Sequence, residues 1–582
     1  MRGSSMVDQS AAATGMTAPV IPRPRIARLV NLPVWIWLVV IVLLPNALLI
    51  GCSLMRISNG FIAFDPSLVN YQRLWGSSGF WTLLGRTLKL SLVASGIAAL
   101  VAYPLAFFVG RIVRRNKALI VTLVLVPLWI SLLMRVFAWR LILGQSGLLN
   151  SFLVSSGVLD RPSEAFLYTS ASVILVFTYI AIPYIFIATL NAFEKLPQSL
   201  LEASEDSGAS SLQTFLHVVW PLTRRSLAIG VSLAFLITVG DFVTPSMIGG
   251  IDGTTIGVLI SSQFGMANNW PYGAAVAIVL MLCCGAIVGL VMAACPQRGV
   301  LLGDEGARPA SGAPSARGRW LKIGGMTGVF AVILFLYAPI ALMAFFSFND
   351  SKMQLFPLAG LSLRWYFDLV HNDGLIVAAQ RSLIVAFFVI TFSTIVGTAF
   401  ALLLHYGRVS GARFCEFAIA LPIAMPGVVL GIVMVLGTEM LRIPSGLVRT
   451  VVGQSSFVLP VTMMLVLARL RRLDPSLLEA SLDLGADKLR SFLFVLLPLI
   501  RGAVASGALL GLTLSADDVM VTLFLAGPSQ TLPIWVFNQM RFGFTPTVNA
   551  VFTLLAVACL LIVVAASRIG GRLGRPVAQN DA

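Results

Sequence analysis

A run of roughly 20 apolar residues is enough to cross a bilayer as a helix. This chain has twelve of them, and that leaves few folds open. The first six lie near 33–54, 86–109, 118–143, 169–192, 222–248 and 272–294. The second six lie near 324–347, 381–404, 415–440, 453–470, 499–526 and 547–567. Between the two sets lies 296–322, rich in Gly, Pro, Ser and Arg. Only 11% of the 582 residues are charged and 58% are hydrophobic, whereas soluble domains carry about 25% charged residues. A water-facing surface cannot be covered with so little charge. The chain reads as an all-α polytopic membrane protein.

The basic residues test that map. With the N-terminus placed inside, the inner segments hold 27 Lys and Arg and the outer segments 10. This asymmetry is the one expected of cytoplasmic loops. It also assigns the net charge of +16 to the membrane surface and excludes a nucleic-acid partner. The six cysteines, Cys52, Cys283, Cys284, Cys295, Cys415 and Cys559, show no metal-ligand or disulfide spacing. The first 20 residues lack a signal-peptide pattern, so the first apolar run is expected to be retained.

Six spans per set is an even number, so both sets start and end inside and the repeat is parallel. The domains expected are a cytoplasmic tail at 1–32, a first membrane unit at 33–295, a cytoplasmic linker at 296–322, a second membrane unit at 323–568 and a tail at 569–582. One polar segment occurs in both units. Residues 200–222 read LLEASEDSGASSLQTFLHVVWPL and residues 477–499 read LLEASLDLGADKLRSFLFVLLPL. At an offset of 277, Glu202 falls on Glu479, Ala203 on Ala480, Asp206 on Asp483, Gly208 on Gly485 and Pro221 on Pro498. Gly230 meets Gly507, Asp241 meets Asp518 and Gly250 meets Gly527 in the same ungapped register.

Each segment lies between the fourth and fifth spans of its unit, on the inner side. Glu and Ala favour a first short helix. Gly208 and Gly485 suit a turn of positive φ. Pro221 and Pro498 suit the first turn of the next helix, where a missing N–H costs nothing. The expected product is a polar knob, able to fit a groove in another protein and pass motion to the fifth span.

The pattern E-A-S-x-D-x-G-A, with Pro thirteen residues after the Gly, resembles the EAA loop of bacterial ABC-importer permeases. The resemblance covers nearly the whole chain, because both units carry the loop at matched topology. It implies a type I importer fold of two pseudo-symmetric repeats. It also implies that Glu202, Ala203, Asp206 and Gly208, with Glu479, Ala480, Asp483 and Gly485, dock into ATPase subunits, one copy per unit. The chain has no GxxxxGK[ST] loop to cradle phosphates. ATP and Mg would therefore sit on partner subunits, with no cofactor on this chain and no catalytic residue. A periplasmic or extracellular substrate-binding protein is the other partner implied.

Two further stretches of the first unit, MRVFAWRLILGQSGLLN (134–150) and GDFVTPSMIGG (240–250), are similar to the B-type permease of spermidine/putrescine importers. LSADDVMVTLFLAGPSQTLPIWVF (514–537) and GFTPTVNA (543–550) resemble the C-type permease. A B–C fusion moving a small cation is implied. Importers for ferric iron, thiamine or aminophosphonate share the loop, and an ion-coupled secondary transporter is the reading of another class.

The acids inside the spans have two readings. A charge at mid-bilayer costs roughly 2.5–3.5 kcal/mol, so it faces protein or a watery path. Asp241, Asp517 and Asp518 would help a polycation pass, with Trp139 and Trp535 as aromatic faces for its ammonium groups. Alternatively the acids pair with Arg135 or Arg140, or cap a break in a helix. The outer segments 55–85 and 348–380 carry Tyr71, Trp75, Trp365 and Tyr366. These suit either a rim for the binding protein or an interfacial aromatic belt.

Overall fold

The computed structural model describes residues 32–573, apart from 59–60, 64, 114, 297–315, 352–359, 408, 410 and 543–545. The N-terminal tail, most of the expected linker and the last residues of the chain lie outside that set. The helix Ala316–Phe346 already begins inside the stretch read as a linker.

Among the described residues, ten helices are long and apolar enough to cross a membrane, or eleven if one sharply bent pair counts once. The two units repeat. Ser78–Arg111 and Asp373–Tyr406 are both 34 residues long and superpose in sequence at an offset of 295. Ser170–Glu194 and Leu447–Leu470 correspond at 277. The change of 18 falls between the third and fourth spans. There the first unit inserts the helix Leu148–Ser155 and a following loop, where the second has only a short turn before Leu447.

The third span of each unit departs from the expectation of one continuous helix. Residues 118–143 divide into Lys117–Leu125, a 3-10 turn Val126–Trp129, an extended pair at Ile130 and Ser131, and Leu132–Leu143. Residues 415–440 divide into Ala412–Ala424 and Gly427–Met440, bent by 112°. Proline explains the second break, because Pro426 disfavours helical geometry at Met425, which has ψ 143°. The expected fifth span 222–248 and eleventh span 499–526 also stop early. Ser211–Val239 ends at Gly240, and Lys488–Asp517 ends at an extended Asp518.

The first helix of each unit crosses to the other unit. Leu32–Ser53 contributes Val34, Trp37 and Leu38 to a core with Cys415, Ile419, Met463 and Leu467. Pro45 lies against Gly437, where a Cβ would come within 2.6 Å of it. In return, the seventh span packs on the first unit. Phe335 meets Tyr179 edge to face and Trp139 at a tilt, and the buried Tyr179 hydroxyl donates to the Leu336 carbonyl at 2.8 Å. The two units are therefore covalent repeats rather than separate packing units.

Candidate functional site

The first knob is the helix Gln198–Asp206 followed by Ser211 and its helix; the second is Ser476–Asp483 followed by Lys488. Both first helices close in the same way. Gly208 N donates to Glu205 O at 2.9 Å and Ala209 N to Ser204 O at 3.1 Å. Gly485 N donates to Leu482 O at 2.9 Å and Ala486 N to Ser481 O at 3.1 Å. This double closure uses a left-handed residue after the helix, and φ is +79° at Gly208 and +85° at Gly485. A hydroxyl pair then staples the two helices of each knob. Ser204 and Thr214 stand 2.9 Å apart, as do Ser481 and Ser491.

The second helix of each knob runs straight into a span. Pro221 and Pro498 do stand at the first turn of the following α-helix, but no chain break precedes them. Phe215–Val219 and Ser491–Leu496 form π turns instead. A proline within a continuous helix removes one N–H and crowds the carbonyl four residues back. The wider turn relieves both. Each knob is thus continuous with one unbroken helix.

All eight residues expected to dock are exposed: Glu202, Ala203, Asp206, Gly208, Glu479, Ala480, Asp483 and Gly485. His217 is also exposed, with Nδ1 3.0 Å from Gln213 O. At the start of the second knob the Ser476 N–H holds the Asp474 carboxyl below its ordinary value. The base of each knob is braced by an ion pair of opposite sense. Glu194, ending the fourth span, meets Lys117 at 2.9 Å. Its counterpart Arg471 meets Glu416 at 2.7 Å.

The far ends of the two knob-bearing helices meet at a cavity of about 360 Å³ between the units. Leu132, Tyr184, Leu236 and Asp241 face it from the first unit, and Pro422, Met425, Phe457 and Asp518 from the second. Both acids cap helix breaks. Asp241 Oδ1 accepts from Val243 N at 2.7 Å and Thr244 N at 3.1 Å, and Oδ2 from the Thr244 hydroxyl. Asp518 Oδ1 accepts from Val521 N at 3.3 Å. Its Oδ2 accepts from Thr522 N at 2.9 Å and the Thr522 hydroxyl at 2.6 Å. An interrupted helix in a membrane must have its freed backbone groups satisfied, and these carboxylates do it while facing the cavity.

Asp517 serves the other unit. Its two oxygens accept from Leu132 N, the first N–H after the break in the third span, at 3.1 and 2.9 Å. Its counterpart at the 277 offset is Gly240, which reaches the matching break in the ninth span. A Cβ at Gly240 would stand 2.6 Å from Gly427 N and 2.8 Å from Pro426 Cα. One contact is a charge-assisted hydrogen bond, and its pseudo-symmetric partner is a bare backbone approach. Arg135, one turn past Leu132, is 4% exposed and acts electrostatically on Asp241 and Asp517. Trp139 and Trp535 are buried away from the cavity lining. Trp139 packs edge to face on Tyr179 and at a tilt on Phe335, and Trp535 lies beside Gly374.

Sequence reading missed Thr244, Thr522 and Gln454. The signal for the threonines was a hydroxyl three or four residues after an acid, the spacing of a cap. Gln454, 1% exposed, donates to Ser515 O at 3.3 Å and the Thr522 hydroxyl at 2.8 Å. It bridges the break at Asp518, and a glutamine inside an apolar run was its only trace.

A duplicated bundle, with two exposed knobs each continuous with a helix that reaches a shared cavity, has the form of a membrane transport permease. The chain belongs to the family of binding-protein-dependent transport system inner membrane components, whose model matches residues 98–298 and 393–578. It is 35% identical over 253 residues to the spermidine/putrescine transport system permease protein PotB of Escherichia coli (strain K12), spanning 43% of this chain and 91% of that one. It is 36% identical over 253 residues to PotC of the same organism, spanning 43% of this chain and 94% of that one. Likeness to both types bears out the reading as a fused B- and C-type ABC-importer permease. A solved chain from a bacterial alginate ABC transporter, in complex with alginate pentasaccharide-bound periplasmic protein, is 18% identical with a TM-score of 0.37. It covers 46% of this chain and 92% of that chain.

Proposed function

We propose that this permease imports a small polycation of the polyamine class, driven by two copies of a separate ATPase that grip the two knobs. The observation that carries the drive is the paired knob geometry. The same double closure and hydroxyl staple recur on exposed segments, each continuous with a helix that ends at the central cavity. The parallel repeats and the Lys and Arg asymmetry support a cytoplasmic position for both knobs, both termini and the segment joining the units.

Asp241 and Asp518 carry the substrate reading. Each spends part of its acceptor capacity on a cap, yet an ionised carboxylate has about four acceptor sites. The two acids leave negative charge at a mostly apolar cavity formed by both units, and a cation with two separated ammonium groups complements that. The relatives' own spermidine/putrescine substrate supports the class. A binding protein delivers substrate to the outer face. ATP binding on the partners draws the knobs together, and alternating access follows if the ATP-bound dimer favours one transporter state.

The test is reconstitution of the permease with its ATPase and binding protein in liposomes, with labelled spermidine outside. Uptake is expected to need ATP and to fall at least tenfold in the Glu202→Ala/Glu479→Ala double variant, with the ATPase lost from the complex. Uptake that persists without the ATPase, under an ion gradient alone, refutes the coupling. ATP-driven uptake of a thiamine or iron complex but not spermidine refutes the substrate.

A further inference from the structure

A second cavity, of about 440 Å³, lies on the other side of the eleventh-span break. Asp517 faces it, whereas Asp518 faces the central one. Its walls are otherwise apolar, set by residues such as Leu383, Ala386, Leu509, Ala516, Phe552 and Leu555. The polar side chains at hand besides the carboxylate are the hydroxyls of Ser131, Ser382 and Thr513 and the indole of Trp129. A pocket of several hundred Å³ with apolar walls and a few placed polar groups is the usual form of a small-molecule site. We propose that this cavity binds a lipophilic primary monoamine: one ammonium at Asp517, and an alkyl or aryl body along the apolar walls.

The chemistry selects that class. Asp517 is half-buried; Leu132 N–H donates to both its oxygens, the Ser131 hydroxyl bonds to it as well, and Arg135 acts on it from the first unit. Acceptor capacity remains for an ammonium, which carries three donors. A neutral alcohol gains no charge interaction from the carboxylate, and a carboxylic acid anion is repelled by it. A polyamine would leave a second ammonium against hydrocarbon, a position of high cost. Only a single charge on an apolar body satisfies both parts of the cavity.

Binding has a mechanical consequence. An ammonium at Asp517 shares the carboxylate with Leu132 N–H and so weakens the bond that joins the second unit's knob-bearing helix to the first unit's broken span. A bound monoamine therefore slows transport without occupying the central cavity, and its inhibition is not relieved by raising spermidine.

The experiment uses the full chain in lipid nanodiscs and needs neither ATPase nor binding protein, so its outcome is independent of the polyamine reading. Saturable binding of labelled octylamine is measured by equilibrium dialysis, with octanol and octanoate as competitors. Unlabelled octylamine is expected to compete and the other two not to. Ala386→Phe, which fills the cavity, and Asp517→Asn are each expected to weaken binding at least tenfold. Asp241→Asn/Asp518→Asn is expected to leave it unchanged. Ala379→Phe, on the same wall, replaces Ala386→Phe if the latter fails to fold by size exclusion. Competition by octanol equal to that of octylamine, no saturable component, or unchanged binding in the filled variants overturns the proposal.

Discussion

Asp241 and Asp518 cap helix breaks and, in the proposed path, also meet the substrate; substitution separates the two. Asn caps a helix about as well as Asp, whereas Ala costs about 0.5–2 kcal/mol per cap. Asp241→Asn/Asp518→Asn should therefore keep the fold, with its Tm in detergent close to that of the parent. Uptake of spermidine should still fall at least tenfold, because the charge facing the cavity is gone. The matching Ala pair should lower Tm as well. Unchanged uptake in the Asn pair would falsify the path role and leave the acids as caps alone. Gly208 and Gly485 carry a purely conformational demand. A left-handed β-branched residue costs roughly 1–2 kcal/mol, so Gly208→Val or Gly485→Val should deform one knob. The ATPase recovered on co-purification should drop by about half for either variant, since the other knob is intact.

At the scale of elements, the two knobs share a backbone but not a surface. Where the first has Glu205 and Ser207, the second has Leu482 and Leu484, 44% and 89% exposed. The first knob also keeps Glu202 and Asp206, whereas Lys488 and Arg490 follow the acids of the second. Attraction between exposed charges is screened by salt over about 8–10 Å, whereas apolar burial is not weakened in that way. The ATPase on the first knob should be stripped first as salt rises to about 1 M. Leu484→Ser should make the second knob release in the same range. Equal release from both knobs in the parent, measured by site-specific crosslinking, contradicts this. The braces at the knob bases repeat with reversed charge, Lys117 to Glu194 and Glu416 to Arg471. Partly exposed pairs contribute about 0–1 kcal/mol, so Glu416→Gln should shift stability by less than that, measured by thermal unfolding.

Across the whole molecule, the exchange of first helices makes each unit incomplete alone. Leu32–Ser53 finds part of its core in the second unit, and Ala316–Phe346 part of its own in the first. Residues 1–305 and 306–582 expressed as two chains should still assemble, and the pair should co-purify through a tag on either. A unit expressed alone should aggregate, because faces that meet protein would be left open. Independent folding of both, with no association, would show that the linker rather than the exchange holds the molecule together.

The span count, the parallel repeat and the two knobs were legible because each rests on local chemistry. Apolar length reports burial in lipid, and Glu, Gly and Pro at fixed intervals report a helix, a turn and a restart. Gly208 shows this at one residue, since a positive φ is required whatever surrounds it. The break at Ile130–Ser131 was not legible, because hydropathy is blind to a bend inside an apolar run, whereas a break at Asp518 was one of the readings its carboxylate left open. The sequence alone established a duplicated membrane permease with paired handles. Tertiary structure decided which carboxylate faces which cavity: Asp517 and Asp518 are neighbours in the chain, but one holds Leu132 of the other unit and one caps its own helix. That division depends on where a distant backbone N–H lies, and no local pattern of residues encodes it.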